Sequence, residues 1–410
     1  MGSAGTTCEV AGMNPAAVAY TARWVWCGPG DLRENAWVLM AGGWVRGVQE
    51  RPPAGAERVE LGQGLLLPGL VNAHTHLELS GLTSLAPPAG DFVAWLEQLV
   101  ALRPDTLRVN GAAATRAAAA ALAADGTALV GDITNTGQAR AALAQAGVSA
   151  VSFFEALGPS KAPPPPPGYE WQGPLLSGAA VAAHAPYSVP AGRLQALKRQ
   201  AGDLPFCLHL AESRAEMEFM AGAGEQGRRL EAFLAARGLQ RSQLDLRAAT
   251  PLGQVQSLGL LDQHTLAVHG VQLRPEDART LAAAGTSLCL CPRSNLGLTG
   301  NLAPVEAMLA AGVNLALGTD SLASAPDLSL WREMAALAAA RPGLDPETIL
   351  AMATAGGARA LGLAGRFGAI RSGAAGPLAF APLAPLPPEQ MLAAAVQGRH
   401  AGPPRSLGRG

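Results

Sequence analysis

Apolar and polar positions change their rhythm once along this chain, near Leu65. Before it, residues 1–64 carry short β-rich runs broken by turn residues. The stretch "AWVLMAGGWVRGVQE" holds a Gly-Gly pair between two such runs, which predicts a hairpin. After Leu65, short continuous apolar runs recur. Eight stand out: 65–72, 127–132, 148–156, 179–184, 205–211, 265–269, 286–291 and 313–319. Helix-like segments such as "GRLQALKRQAG" and "APVEAMLAAGV" lie between several of them. Such alternation predicts a parallel sheet covered on both faces. Eight runs predict an α/β fold closed as a (β/α)8 TIM barrel. The structural alternative is a doubly wound open sheet, but no Gly-x-Gly-x-x-Gly follows an early strand.

Two stretches interrupt the rhythm. The proline run in "LGPSKAPPPPPGYEW" predicts an extended, exposed connector. Residues 213–260 are long for one crossover and are expected to add helices beside the barrel mouth. After residue 366 the chain returns to Gly, Pro and Ala with short apolar pieces. Residues 1–64 and 367–410 are therefore expected to pack together as a small second β-domain beside a barrel of residues 65–366.

Composition narrows the classes. Of 410 residues 49% are hydrophobic, enough for a large core, and the formal net charge is −1. No acidic or basic block stands out, which argues against nucleic acid held through phosphates and against a polybasic membrane patch. Lysine occurs only as Lys161 and Lys198. The cysteines are Cys8, Cys27, Cys207, Cys289 and Cys291, an odd count with three in apolar runs. A disulfide framework is not expected, and a reducing cytoplasm fits. Cys289 and Cys291 could ligate a metal, but burial as small core residues is the plainer reading. No basic segment followed by an apolar one marks a secretory signal at the N-terminus. Met1-Gly2 with Thr6 nominally matches a myristoylation pattern, one short enough to arise by chance. The alanine-rich tract 111–124 contains Arg116 and reads as a helix of the fold, not a membrane span.

In a barrel the C-terminal ends of the strands converge on one face. Here the first ends in His74 and His76, the second at Asp132, and the third carries Glu155. The fourth ends in His184, and the fifth supplies His209 and Glu212. The sixth ends in His269, the seventh runs into "CPRSN", and the eighth ends "LGTDS" with Asp320. Five of the seven histidines thus fall at strand ends; His264 and His400 do not. Residues i and i+2 of a strand share a face, so His74 and His76 can address one point. Alone, such a pair suits ordinary structural histidines as well. With His209 and Asp320 it makes four N/O ligands, suited to zinc or ferrous iron with a position left for water. Glu212 could be a solvated carboxylate and His269 a satisfied core imidazole. Both also stand where a water-activating site wants a proton shuttle and an orienting group.

The ordered pieces "PGLVNAHTHLE", "HLAES", "LAVHG", "CPRSN" and "LGTDS" resemble the amidohydrolase superfamily. The similarity spans about residues 65–360. It points to the branch of cytosine, guanine and S-adenosylhomocysteine deaminases and the chlorohydrolases. The resemblance implies one divalent metal, zinc or alternatively iron, on His74, His76, His209 and Asp320. Asp320 would also accept the proton of the attacking water. Glu212 would be the proton shuttle, and His269 would contact that water or the oxyanion-like intermediate. Binuclear relatives use a carboxylated lysine, and neither Lys161 nor Lys198 is placed for that.

"HTHLELSGL", "DFVAWLEQLVALR" and "AHAPYSV" look most similar to aminodeoxyfutalosine deaminases of the menaquinone route. Those enzymes remove the 6-amino group of an adenine whose extended sugar carries a benzoate. The resemblance then makes Trp95 a lid aromatic, and Glu78 and His184 hydrogen-bonding partners of the substrate. Arg214 or Arg293 would pair its carboxylate; a core tryptophan and structural ion pairs are the plain alternatives. "LVALRPDT" lacks the ribose-binding Glu of the adenosylhomocysteine relatives, and "SGAAGPLAF" departs from their Gly-Lys-x-Ala-Asp turn. Adenosine-type, guanine or cytosine deamination, chlorohydrolase or cyclic-amide hydrolysis, and a catalytically silent barrel stay open, as does a homodimer.

Overall fold

The structure is a computed structural model that describes residues 17–52, 54–83, 85, 90–109, 111–158 and 164–408. Cys8, the Met1-to-Thr6 pattern, Lys161 and the first proline of the run, Pro163, lie outside the described residues.

Eight parallel strands follow one another round the barrel: β1 (Leu70–Thr75), β2 (Thr127–Thr134), β3 (Ser149–Ala156), β4 (Leu175–Ala183), β5 (Phe206–Leu210), β6 (Thr265–His269), β7 (Ser287–Leu290) and β8 (Leu315–Leu317). Each pairs with the next, with register shifts only between β1 and β2. The ring closes between β8 and β1 through a single bridge, Thr75 to Asp320. The amides of Thr319 and Asp320 both donate to the His74 carbonyl there, at 3.0 and 3.1 Å. A hairpin strand, Gly168–Gln172, runs antiparallel to β4 beyond the proline run.

The first expected run divides in two. Gly64–Pro68 pairs antiparallel with Leu378–Pro382 and parallel with Trp24–Gly28, in a five-stranded sheet of the second β-domain. Only from Leu70 does the chain enter the barrel. The division falls at Gly69, where a Cβ would lie 2.5 Å from the Pro377 carbonyl oxygen. The expected "VLMAGGWV" hairpin forms as Trp37–Ala41 and Trp44–Gln49. Gly42 and Gly43 sit at φ 58° and 73°, the paired left-handed conformation of a tight hairpin turn. N- and C-terminal segments thus share one β-domain. The tail also holds a helix, Pro388–Val396, whose Met391, Ala394 and Val396 join the main core.

Small residues let the strands close tightly. Val71, Ala73, Val151, Phe153, Ala180, Ala182, Cys207, Leu266, Val268, Cys289 and Ala316 form one buried cluster inside the barrel. Trp44, Tyr169, Leu361 and Phe367 join it. Cys27, Cys207, Cys289 and Cys291 are free and buried, so the cysteines here pack as small apolar groups. A separate apolar cluster covers the mouth. It joins α1 (Phe92–Val109), α2 (Arg214–Ala221) and α3 (Glu225–Ala235) through Phe92, Trp95, Leu96, Phe219 and Leu230. The long 213–260 segment therefore does form helices at the mouth. A further helix, α4 (Pro292–Thr299), follows β7 directly, with proline at its first turn. Among the described residues no helix is long and apolar enough to cross a membrane.

Gly131 of β2 tests the tightness of this ring. A Cβ there would stand 2.4 Å from the Ala73 carbonyl oxygen and 3.0 Å from Leu361 Cδ2. Gly131→Ala should cost about 1–3 kcal/mol through overpacking, seen as a lower midpoint in urea at unchanged slope.

Candidate active site

Four breaks in regular backbone geometry aim the candidate side chains at the mouth. Val71 and Ala73 face the barrel interior with Cys207 and Val268. Strict alternation would then turn His74 and His76 outward. A register irregularity between Asn72 and Thr75 shifts the phase, and both imidazoles point inward. On β6, Leu266 and Val268 face the interior, so His269 should point away. Its φ of 75° reverses it. Asp320 has φ 56°, and Ala211, just before Glu212, has φ 51°. Non-glycine residues rarely take this left-handed conformation, and it concentrates at functional sites.

The expected ligands meet. His76 Nε2 lies 3.1 Å from His74 Nε2, and Asp320 Oδ1 lies 3.9 and 3.6 Å from the His74 and His76 nitrogens. The ring of His209 is 5.1 Å from that of His74, centroid to centroid, and 5.6 Å from that of His76. Donor atoms of His74, His76 and Asp320 lie within 4.8 Å of one another, as do those of His74, His209 and His269.

The surroundings prepare these groups as ligands. Burial, aided by neighbouring imidazoles, holds His74 well below the usual histidine pKa and lowers His209 to about 3. Both rings are therefore neutral, as ligands must be. His209 Nδ1 donates to the His184 carbonyl at 2.8 Å, which leaves Nε2 with its lone pair. Asp320 Oδ2 accepts from Ser294 Oγ at 2.6 Å and Ser324 Oγ at 2.8 Å. Burial opposes its ionisation, yet His76, His269 and these two hydroxyls hold the carboxyl below its usual range. One oxygen is thus anchored and the other left facing the imidazoles. The buried His74 Nδ1 has no hydrogen-bond partner among the described residues. Three imidazoles and one carboxylate with converging donors fit a single divalent cation of the zinc or iron kind. Lys198 is far from this face: its Nζ binds Asp262 and Thr265 at the start of β6.

Glu212 Oε1 stands 3.5 Å from His269 Nε2. Burial, then the charges of Asp320 and Glu216, raise its carboxyl well above the usual range. Its loop is pinned by Glu216 on α2, whose Oε2 accepts the Glu212 amide at 2.8 Å. Ser213 caps the same helix through the Glu216 amide.

A cavity of about 460 Å³ opens beside His76, Glu155 and His184. His184 Nδ1 bonds Ser188 Oγ at 2.6 Å. Glu78 also lines the cavity, but its carboxylate is taken up by the protein. It pairs with Arg103 at 2.6 Å and accepts from Thr134, Asn135 and Thr136. Three other expected substrate contacts do not line it. The Trp95 indole donates to the Ala323 carbonyl at 3.3 Å and packs in the apolar cluster over the mouth. Arg214 lies on the outer face of α2, 79% exposed, and pairs with Glu218 one turn on. Arg293 is spent on Asp327 at 2.7 Å and Glu333 at 3.7 Å. The arginines that do line the cavity are Arg103 and Arg237. Arg103 sits in the stretch "LVALRPDT", whereas nothing in the sequence marks Arg237, which follows α3. Ser294 and Asn295 are legible only as part of "CPRSN".

A (β/α)8 barrel with three imidazoles and an aspartate gathered at its strand ends, beside a buried acid, is the architecture of a metal-dependent hydrolase. The chain belongs to the amidohydrolase family, whose sequence profile matches residues 65–394. It is 32% identical to the 5-methylthioadenosine/S-adenosylhomocysteine deaminase of Syntrophobacter fumaroxidans, over 77% of this chain and 71% of that protein. It is also 32% identical to the aminodeoxyfutalosine deaminase of Deinococcus radiodurans, over 82% of each. In fold it matches the Helicobacter pylori aminofutalosine deaminase in complex with methylthio-coformycin. The TM-score is 0.80, the coverage 96% of this chain and 99% of that one, and the identity 24%. A zinc-bound adenosine deaminase from Xanthomonas campestris matches at TM-score 0.72 and 25% identity, covering 97% of this chain and 90% of that one. The chain is a hydrolytic deaminase of this family.

The anchoring of Asp320 can be tested apart from catalysis. Ser294→Ala should weaken metal retention about 10- to 100-fold in a chelator competition, while the melting temperature of the metal-free protein changes little.

Proposed function

We propose that the protein removes the 6-amino group of an adenine nucleoside with an extended 5′ arm ending in a carboxylate. The reading that fits best is conversion of 6-amino-6-deoxyfutalosine to futalosine with release of ammonia. The observation that carries it is the cavity. Its inner end holds His76, Glu155 and His184, and its walls are apolar, with Leu99, Val100, Leu157 and Phe233 among them. At the rim, Arg237 stacks on the Phe233 ring at 3.6 Å and has no carboxylate partner among the described residues. A purine with a long aromatic arm and a terminal anion matches that sequence of surfaces. Arg103 is already neutralised by Glu78, so Arg237 is the better partner for a substrate charge.

A divalent metal held by His74, His76, His209 and Asp320, zinc before iron, would supply the Lewis acidity that brings the pKa of water toward neutrality. Asp320 takes up the proton of the attacking water at Oδ1, because Oδ2 stays tied to Ser294 and Ser324. Glu212, kept protonated by burial, delivers its proton to the ring nitrogen beside the attacked carbon. The amine then leaves as ammonia with the proton held on Asp320, and the Glu212 carboxylate recovers a proton from the new hydroxyl, which becomes the carbonyl. His184 Nε2 is left for the purine or sugar, since Nδ1 is held by Ser188. The four described free, buried cysteines support a cytoplasmic setting.

Deamination of methylthioadenosine or adenosylhomocysteine is the second reading, supported by relatives of that name. Methylthioadenosine would leave Arg237 unmatched, and adenosylhomocysteine would bring an ammonium beside its carboxylate.

Ammonia release across a panel separates these readings. The metal-loaded enzyme should act fastest on the carboxylate-armed adenine nucleoside; a preference for cytosine, guanine or a chlorotriazine would overturn the proposal. Arg237→Met should lower kcat/KM for that substrate about 10-fold, the worth of one exposed charge-assisted contact, and leave adenosine unaffected. Glu212→Gln should lower kcat about 10²- to 10⁴-fold at unchanged metal content.

A further inference from the structure

The proton on His269 can be located from the hydrogen bonds that lead to it. Cys291 N is a backbone amide and can only donate; it lies 3.3 Å from Asn295 Oδ1. That contact orients the Asn295 side chain, because the flipped amide would set an NH₂ group against an N–H. Nδ2 of Asn295 then faces His269 Nδ1 at 2.9 Å. An amide nitrogen donates and does not accept, so His269 Nδ1 is the acceptor and bears no hydrogen. A neutral imidazole carries its one hydrogen on the other nitrogen. That nitrogen, Nε2, lies 3.5 Å from Glu212 Oε1. A doubly protonated ring would press Nδ1–H against the amide, so the same contact disfavours the imidazolium.

We propose that Asn295 is a positioning residue that holds His269 as its Nε2–H tautomer, making this imidazole a hydrogen-bond donor at the reacting centre and neither a metal ligand nor a base. Nε2 then has no lone pair to offer a cation, which removes His269 from its geometric grouping with His74 and His209. Asn295 is itself held firmly. It is buried in the first turn of α4, its amide bonded to the Cys291 carbonyl at 2.8 Å. The neighbouring Arg293 locks the helix start, with its amide on Glu333 Oε2 at 2.9 Å and its guanidinium on Asp327. The ion pairs of Arg293 thus serve to place Ser294 against Asp320 and Asn295 against His269. The tautomer follows from geometry alone; its catalytic use rests on the deaminase reading above.

The test is ¹⁵N NMR of the imidazoles in metal-loaded enzyme labelled at histidine, with His269→Gln identifying the resonances. The wild type should show Nε2 protonated and Nδ1 bare. Asn295→Asp presents an acceptor at the same place and should invert the pair. Its kcat for ammonia release from the adenine nucleoside should fall about 10²- to 10⁴-fold, as for a wrong tautomer elsewhere, with KM and metal content little changed. A wild-type ring protonated at Nδ1 overturns the proposal, and this measurement stands even if Asn295→Asp does not fold. A folded Asn295→Asp variant with kcat within about 3-fold of wild type also overturns it. A wild-type enzyme silent on every adenine nucleoside sinks the deaminase reading instead, and the spectrum still decides the tautomer.

Discussion

Two backbone amides, those of Thr319 and Asp320, donate to one carbonyl, that of His74. This small joint closes the barrel, and it also sets the distance between the first and last contributors to the site. Gly318 makes the approach feasible: a Cβ there would stand 2.7 Å from the His74 oxygen and 2.9 Å from Cys289 Sγ. With the joint made, His74, His76 and Asp320 share one neighbourhood. His209 then needs only the ordinary spacing of adjacent parallel strands to face them, and His269 its left-handed backbone as well.

Burial gives each group its charge state. Imidazoles taken out of water lose their proton, and Glu212 keeps one. Asp320 stays ionised because two hydroxyls and two imidazoles face it. Carboxylates nearby are used as scaffolding. Glu216 secures the loop of Glu212, and Glu78 ties α1 to β2 through Arg103 and Thr134. Glu333 accepts the amide of Arg293 at the start of α4. The chain therefore spends several buried acids on holding still the few that face the candidate site.

Much of this is readable from residue order. Strand positions follow from apolar runs, and the candidate ligand cluster follows from the convergence of strand ends. The exceptions have physical causes. The run at 65–72 is one apolar stretch but two strands, because apolar character does not report which sheet a residue joins. A bulge in β1 and a left-handed His269 break the period of two, and neither has a composition signature. His74 and His76 do share a face, as their spacing implies, but which face depends on that bulge. Arg214 and Arg293 lie close in sequence to site residues, yet one finds Glu218 and the other Asp327 and Glu333. Arg237 comes from the turn after α3, whose docking no local pattern specifies. The terminal helix Pro388–Val396 does carry a helix signature, proline at its first turn followed by alanines, but it sits in a tail whose other Gly and Pro residues point to strands and turns.

The left-handed backbones of His269 and Asp320 have a further consequence. Each costs of order 1 kcal/mol relative to a residue at ease. Glycine at either position would relax the main chain and delete the side chain that the conformation exists to aim. Selection for a more heat-resistant enzyme would therefore meet a conflict at these two places, where durability and turnover pull in opposite directions. Gains in endurance have to come from the alanine-rich outer helices and the surface turns, which leave that tension in place.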